Sequence, residues 1–169
     1  SPDVPFEASV NTYRGCEHGC AYCYARPSHA YLDLSPGLDF ETRLYAKTNA
    51  VELLRAELAR PGYVVSAINI GANTDPYQPI ERDYRLTRGV LEVFAETRHP
   101  CTIVTKNALI TRDLDLLTEL AHISHPDPIG TQHPRKRMRH RCSILLIRSF
   151  AARTLWIKPC RCTRTVKCF

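Results

Sequence analysis

The hydrophobic pattern of residues 1–121 alternates between short strand-like runs and helical periods. Residues 64–70 and 101–105 are rich in β-branched side chains and almost without charge, as strands buried on both faces are. Residues 9–12 predict a shorter first strand, and residues 40–47 an extended run. Strands that alternate with helices in this way indicate successive strand–helix units and a parallel sheet.

Three amphipathic helices follow these strand-like runs. The first opens at Asn49, where Glu52 has the spacing of a capping box, and Pro61-Gly62 stops it. The second covers residues 87–97 and the third residues 112–121, while residues 71–81 form a loop. The apolar stripes of the three helices are Val51, Leu54 and Leu58; Val90, Leu91 and Phe94; and Leu114, Leu117 and Ala121.

The character of the chain changes after Ala121. No helical or strand period persists through Pro126, Pro128 and Pro134, a basic cluster at residues 135–141 and an apolar run at residues 144–147. Residues 1–121 carry 12 Lys and Arg against 16 Asp and Glu, whereas residues 122–169 carry 11 against 1, so the tail holds the whole net charge of +6. Three interpretations stay open: a reading-frame change or misjoined gene, a disordered basic extension, and a structured nucleic-acid-binding arm.

Length and hydropathy limit the class of protein. The 169 residues are fewer than the about 250 of a complete α/β barrel. No apolar run approaches the about 20 residues of a membrane span, and the start at Ser1-Pro2 shows no charged-then-apolar leader. We therefore expect a cytoplasmic protein that does not act at a membrane.

Cysteines supply the candidate chemistry. Of the eight, Cys16, Cys20 and Cys23 fall within eight residues, which favours a metal or cluster site in a reducing compartment over a secreted disulfide framework. Cys101 opens an apolar strand and is interpreted as a packing residue. The tail cysteines, Cys160 and Cys162 among them, are weaker candidates for an accessory site.

Three thiolates on one short loop can wrap a four-iron cluster and leave one iron without a protein ligand. An unfilled coordination position is where a small molecule can bind and react. The alternatives are a structural zinc ion with His18 as fourth ligand, and redox chemistry of Cys20 and Cys23.

The pattern C-x-x-x-C-x-aromatic-C directly after a first strand, with Tyr22 at the aromatic position, resembles the radical S-adenosylmethionine (SAM) superfamily. Three further segments resemble one branch of this superfamily, the spore photoproduct lyase-like branch, which is related to DNA repair photolyases. They are the loop at residues 71–81, the run at residues 22–26 and Thr105-Lys106-Asn107. The resemblance covers residues 1–121.

The resemblance implies that Cys16, Cys20 and Cys23 bind a 4Fe-4S cluster and that SAM chelates its free iron. It places Tyr22 beside the adenine and makes Asn73, Thr74 and Asp75 candidates for the SAM amino group. Lys106 ends the strand at residues 101–105 on the same rim and is a candidate partner of the SAM carboxylate. It also implies an external electron donor, a 5′-deoxyadenosyl radical and lyase-like chemistry, with nucleic acid as the candidate substrate. The structural alternatives are a local cap for Asp75 and a solvated strand end for Lys106. Arg26 and Tyr77 are further candidates of the same kind.

Cores of that superfamily are usually partial barrels of six strand–helix units. We therefore expect an α/β fold that is an incomplete TIM-like barrel of about three units over residues 1–121, with an irregular basic tail over residues 122–169. A chain of this kind is expected to have poor activity, because the strands that would close over substrate have no counterpart. The competing hypotheses are a non-enzymatic, zinc- or cluster-stabilised, basic nucleic-acid-binding module and an inactive fragment.

Overall fold

A four-stranded parallel sheet is the centre of the computed structural model, which describes residues 7–123 and 143–146. Its strands, in spatial order, are β1 (Ala8–Val10), β4 (Ile68–Ile70), β5 (Cys101–Thr105) and β6 (Ser143–Leu146). A separate antiparallel ribbon pairs β2 (Tyr13–Arg14) with β3 (Tyr45–Ala46). The fold is thus mixed α/β with a small parallel sheet, and the described strands do not close into a barrel.

Helices follow the strands and cover the sheet. They are α1 (Asp39–Thr42), α2 (Ala50–Leu58), α3 (Glu81–Tyr84), α4 (Leu86–Thr97), α5 (Leu114–Ile123) and two 3₁₀ helices, Arg26–Leu32 and Ala108–Asp113. Helix α4 packs between α2 and α5. In the described part of the chain, no helix combines the length and the apolar character that crossing a bilayer requires.

The main core lies between the sheet and α4, and it includes the predicted apolar stripe of that helix. Ile70 and Ile103 on neighbouring strands are fully buried, and they stand opposite each other in the parallel register. Helix α4 presents Val90, Leu91 and Phe94 to them without any exposed surface. The predicted stripe of α2 packs against the same core. Burial of this apolar face stabilises the helix more than its intrinsic propensity does.

Strand β4 is shorter than the strand predicted over residues 64–70. Residues 64–67 are not part of β4, and Val64 is 75% exposed. In the parallel register Ile68 stands opposite Cys101, so the preceding residues would have to pair with His99 and Pro100. Because proline has no N–H to donate to the ladder, pairing with β5 begins only at Ile68.

Two local predictions between residues 40 and 52 were wrong. Phe40 lies in α1 instead of an extended run, and only Tyr45–Ala46 of that run is a strand. Asn49 precedes α2 as predicted, but its side chain makes no capping hydrogen bond, so the capping box with Glu52 does not form. The Asn49 backbone is already near-helical, with φ −91° and ψ 6°, whereas a capping side chain works from an extended backbone.

The buried face of α5 differs from the stripe predicted for the helix over residues 112–121. Leu117 and Leu120 are buried, whereas Leu114 is 41% exposed and Ala121 is also exposed. The reason is Asp113, a fully buried carboxylate one residue before α5. Positions four and seven residues after Asp113 share its face of the helix, so the inward side chains are Leu117 and Leu120.

The tail contributes a strand that the sequence did not predict. β6 runs parallel to β5, with Thr105 opposite Leu146. A short, wholly apolar run has no period that distinguishes a buried strand from other structure. The prediction that the tail is irregular, out of frame or disordered otherwise falls on residues 124–142 and 147–169, which lie outside the described residues.

Candidate functional site

Three loops meet where β1, β4 and β5 end. The first loop carries the three cysteines, the second covers residues 71–80, and the third begins at Lys106. Because parallel strands end at the same edge of a sheet, their following loops gather there. The candidate residues that lie far apart in the sequence are therefore neighbours in the structure.

The backbone of the cysteine loop has a fixed path. Gly15 has φ +77°, and a Cβ at this position would lie 2.8 Å from the Phe40 carbonyl oxygen. The Cys16 N–H donates a hydrogen bond of 2.8 Å to that same oxygen. Glycine is required here because its conformation is left-handed and the neighbouring backbone leaves no room for a side chain. This close approach fixes where the first cysteine leaves the ribbon.

The three cysteines of the loop are free thiols. Cys16 is buried, Cys20 and Cys23 are half-buried, and Cys16 and Cys23 pack around Phe40 and Ala25. Within residues 7–121, no three His, Cys, Asp or Glu side chains converge on one point where a single metal ion could sit. A tetrahedral zinc ion requires thiolates about 3.8 Å apart, from Zn–S bonds of about 2.3 Å. A four-iron cluster instead binds each thiolate through a different iron, so its ligands surround a larger space.

Two backbone amides face the Cys16 thiol. Burial raises the pKa of this thiol, while the N–H groups of His18 and Asp75 act in the opposite direction. An N–H group directed at sulfur stabilises the thiolate and is a feature that tunes iron–sulfur ligands. The second loop thus contributes a backbone contact to the first cysteine.

Lys106 links the third loop to the other two. Its Nζ contacts the Cys20 Sγ, and its backbone N–H donates a hydrogen bond of 2.9 Å to Asp75 Oδ2. Burial alone would lower the pKa of Lys106, but the thiol of Cys20 and the neighbouring Cys16 outweigh burial and raise it. Lys106 is therefore a cation held against the cysteine loop, and the sequence alternative of a solvated strand end does not describe its position.

Asp75 is the polar centre of the second loop. Its Oδ1 accepts hydrogen bonds from the Tyr77 N–H at 2.9 Å and the Thr105 hydroxyl at 2.6 Å. His18 Nε2 lies 3.4 Å from Oδ2 without a hydrogen bond between them. Burial alone would raise the pKa of Asp75, but these contacts and the Lys106 N–H lower it below its ordinary value. The bond to Tyr77 is the local cap that a structural role predicts, whereas the bonds to β5 are long-range.

Asn73 and Thr74 hold the second loop against the first. The Thr74 hydroxyl donates to the Tyr13 carbonyl oxygen at 3.0 Å and is buried. The Asn73 N–H donates to Asn11 Oδ1 at 2.8 Å, and its side-chain amide donates to the Ser28 hydroxyl at 3.3 Å. The Thr74 side chain thus fixes the position of the second loop against β2, while Asn73 is half-buried at a surface.

The aromatic and basic candidates separate into exposed and structural residues. Tyr22 is 81% exposed beside the thiols. Arg26 donates from Nε and Nη2 to the Cys20 carbonyl oxygen at 3.2 and 3.1 Å and pairs with Glu41, so it supports the cysteine loop. Tyr77 is fully buried and donates to Asp113 at 3.1 Å, which agrees with its structural interpretation.

Two positioning residues were missed from the sequence. Gln78 is fully buried; its Nε2 donates to the Gly15 carbonyl oxygen and its Oε1 accepts the Glu17 N–H, both at 3.1 Å. A single glutamine in a proline-rich loop carries no periodic signal that would reveal this clamp. Asn11, which accepts a hydrogen bond from the Asn73 N–H, was missed because the predicted first strand, residues 9–12, contained it. The observed β1 ends at Val10, so Asn11 is the first residue after the strand at the ligand-binding edge.

A buried charge network supports the second loop from behind. The fully buried carboxylates Glu81 and Asp113 share the guanidinium of Arg112, with Nη2 2.7 Å from Glu81 Oε1 and 2.8 Å from Asp113 Oδ2. Arg88 adds a contact of 2.9 Å to Asp113. Burial alone would raise the pKa of Asp113, but the two arginines outweigh it and lower that pKa. The network joins the end of the loop to α4 and α5.

The chain is similar to longer bacterial and archaeal proteins. It is 48% identical over 118 residues to an uncharacterized protein of Mycobacterium tuberculosis and to one of Mycobacterium bovis, a match that covers 70% of this chain and 35% of each relative. It is 30% identical over 114 residues to an uncharacterized protein of Methanocaldococcus jannaschii, covering 68% of this chain and 40% of the relative. No family model matches the chain, and no solved structure matches it. The chain thus spans less than half the length of the curated relatives that it matches.

Proposed function

We propose that this chain contains the N-terminal part of a radical SAM enzyme core, with Cys16, Cys20 and Cys23 as ligands of a 4Fe-4S cluster. The observation that carries the proposal is the contact of Lys106 with both Cys20 and Asp75. It joins the cysteine loop, which follows β1 and β2, to the loops after the neighbouring parallel strands β4 and β5, at a point where a small molecule would meet all three loops.

The donor set suits a cluster. Three free thiols lie on one short loop, and one of them is faced by two backbone amides. The ammonium of Lys106 lies against Cys20, where it would balance the negative charge of cluster thiolates. When bound, the cluster and SAM would supply an electron and a 5′-deoxyadenosyl radical for hydrogen abstraction. The electron would come from an external donor, and free thiols of this kind fit the reducing cytoplasm.

The residues around the thiols have separate tasks in this proposal. Lys106 would bind the SAM carboxylate, because its ammonium lies beside the cysteine loop. Asp75 accepts hydrogen bonds from Thr105, Tyr77 and the Lys106 N–H, so it would position Lys106 at the site. Asn73 would face the SAM amino group, and the exposed ring of Tyr22 offers an apolar surface to the adenine.

The partial-barrel architecture belongs to the proposal as well. The four parallel strands follow one another in space in the same order as in the chain. Barrels have this sequential order, whereas open doubly wound sheets reverse it at a switch point. An enzyme built on this start would need further strands, and the activity on nucleic acid that the family likeness suggests concerns that whole protein.

The proposal is tested by anaerobic reconstitution of the full chain with iron and sulfide. In a background where Cys142, Cys160, Cys162 and Cys168 are serine, we expect about four irons and four sulfides per chain and a visible charge-transfer band. Cys16→Ala, Cys20→Ala and Cys23→Ala should each abolish the band. The matched control is Cys101→Ala, which removes a thiol that is buried in the main core and should keep the full iron content.

Three outcomes would contradict the cluster assignment. One is a colourless protein with one zinc per chain, which would favour the structural-zinc alternative. Another is undiminished iron in Cys20→Ala. The third is iron that disappears with the tail cysteines alone, which would move the site out of residues 7–123.

SAM binding has its own test in the reconstituted protein. Lys106→Gln should weaken SAM affinity about tenfold, because it removes one charge-assisted hydrogen bond, and should leave the iron content unchanged. Lys136→Gln, a substitution in the basic tail, is the control. Equal SAM affinity in wild type and Lys106→Gln would remove Lys106 from the SAM site.

A further inference from the structure

A cleft of about 340 Å³ lies beside the candidate site, between the β2–β3 ribbon and the 3₁₀ helix Arg26–Leu32. Polar side chains of Asn11, Ser28 and Asn73 line it, and Arg14 and Lys47 add two cations. The ribbon brings these cations together, since Arg14 ends β2 and Lys47 follows β3. A hydrogen bond of 3.0 Å from the Lys47 N–H to the Thr12 carbonyl oxygen fixes their spacing.

The two cations lack a neutralising partner in the described structure. Some described arginines pair with carboxylates, such as Arg43 with Asp39 and Arg60 with Glu57. Arg14 and Lys47 form no such pair with any described residue, and no described carboxylate lines the cleft. Two like charges brought together without an anion repel each other. A bound anion would remove this repulsion.

Lys47 is also partly withdrawn from water. Burial lowers the pKa of its ammonium, and the positive charge of Arg14 lowers it further. The three polar neighbours can take part in a hydrogen-bonded site, because Ser28 offers a hydroxyl and Asn73 an amide in a half-buried position. Cations together with neutral hydrogen-bonding groups are what tetrahedral oxyanions prefer.

We propose that this cleft binds a phosphate group, with Arg14 and Lys47 as its cationic ligands and Ser28 and Asn73 as neutral hydrogen-bonding partners. The proposal goes beyond the cluster function and does not depend on it, because neither cation touches a cysteine. Asn73 borders both places, so a phosphorylated substrate in the cleft would lie next to the candidate radical site.

Tyr31 indicates what carries the phosphate. Its ring lines the cleft and is 88% exposed. An exposed aromatic face beside a cationic cleft is suited to stacking on a base. A phosphate on a nucleotide, free or within a strand, can use both features, whereas inorganic phosphate uses the cations alone.

The first test is titration of the full-length protein with inorganic phosphate by calorimetry. Arg14→Gln and Lys47→Gln should each weaken binding at least about tenfold. Arg60→Gln, which removes an exposed arginine already paired with Glu57, should bind like wild type. A variant with Arg135, Lys136 and Arg137 changed to glutamine controls for the basic tail and should keep phosphate binding at the cleft.

Two further arms identify the source of the phosphate. Tyr31→Ala should leave inorganic phosphate binding unchanged and weaken binding of a nucleoside monophosphate severalfold if a base stacks there. With a single-stranded oligonucleotide, removal of one cleft cation should reduce the slope of log affinity against log salt by about 0.7 if a strand phosphate binds there. If only the small phosphates respond, the natural ligand is a small phosphorylated molecule.

Backbone amide NMR of the unsubstituted protein provides a readout that does not rely on variants. Phosphate should shift the signals of Asn11, Ser28 and Asn73 and leave those of α4 unchanged. The proposal is overturned if these signals do not move, or if Arg14→Gln and Lys47→Gln bind phosphate as wild type does. Retained phosphate binding in Cys20→Ala would show that loss of the cluster and loss of this site are separate results.

Discussion

The region built on β4, α4 and β5 and the loop that carries the cysteines are stabilised by different interactions. In the first, apolar side chains such as Ile70, Ile103 and Phe94 are fully buried between sheet and helix. In the second, the small cluster around Phe40 is supplemented by single hydrogen bonds, and Tyr22 and Tyr24 are more than three-quarters exposed.

This difference separates the stability of the protein from its proposed chemistry. Apolar burial contributes in proportion to area and is insensitive to the direction of contact. A loop held by directed polar contacts can be rebuilt or reordered by a ligand with little effect on the core. We therefore expect substitutions in the core to change the free energy of unfolding strongly, and substitutions in the loop to change ligand binding first.

The largest effect is expected from Phe94→Ala. Removal of this fully buried ring from α4 should lower the free energy of unfolding by about 3–5 kcal/mol, because it leaves a cavity in the main core. Urea denaturation followed by circular dichroism measures it. A loss below 1 kcal/mol would mean that the core does not determine stability, and the comparison between the two regions would fail.

Asp113→Asn should have the next largest effect. It removes the charge from a buried carboxylate shared by Arg112 and Arg88, with an expected loss of about 2–3 kcal/mol. Asp115→Asn is the matched control, because Asp115 binds the same Arg88 but is 58% exposed; it should lose at most about 1 kcal/mol.

Acidification gives an independent check on Asp113. Since its pKa is lowered in the folded protein, its contribution is present above the ordinary pKa of an aspartate and is lost as the pH falls through the folded-state value. The difference in stability between wild type and Asp113→Asn should therefore narrow at acidic pH. A constant difference would contradict the charge network.

The next largest effect is the difference in stability between Gly15→Ala and its control, Gly62→Ala. Both glycines have positive φ, but a Cβ on Gly15 would meet the Phe40 carbonyl oxygen at 2.8 Å, whereas no atom lies within 4 Å at Gly62. Gly15→Ala should therefore lose about 1–2 kcal/mol more than Gly62→Ala, and it should also reduce iron retention. Equal losses would mean that the start of the cysteine loop is not constrained by Phe40.

The smallest effect on stability is expected from Tyr22→Ala. The ring is 81% exposed, so its removal should change the free energy of unfolding by no more than about 0.5 kcal/mol. The same variant should bind SAM less tightly after reconstitution if the ring lies beside the adenine. A loss of stability comparable to that of Phe94→Ala would mean that the cysteine loop contributes as much to the free energy of unfolding as the main core does.

Sequence periodicity predicted the buried half of the molecule well. The strand predicted over residues 101–105 is β5, and the predicted stripe Val90, Leu91 and Phe94 is the buried face of α4. These predictions were correct because alternation between water and core leaves a pattern along the chain. Where a polar side chain takes an inward position, as Asp113 does before α5, the pattern shifts and the predicted stripe was wrong.

The sequence by itself determined the strand–helix order, the main core and the presence of three thiols on one short loop. Only the tertiary structure decided that Lys106 contacts Cys20, that Gln78 clamps the cysteine loop, and that Arg14 and Lys47 share a cleft. The physical reason is that burial is a property each residue carries along the chain, whereas a directed contact depends on which strand ends the fold places side by side.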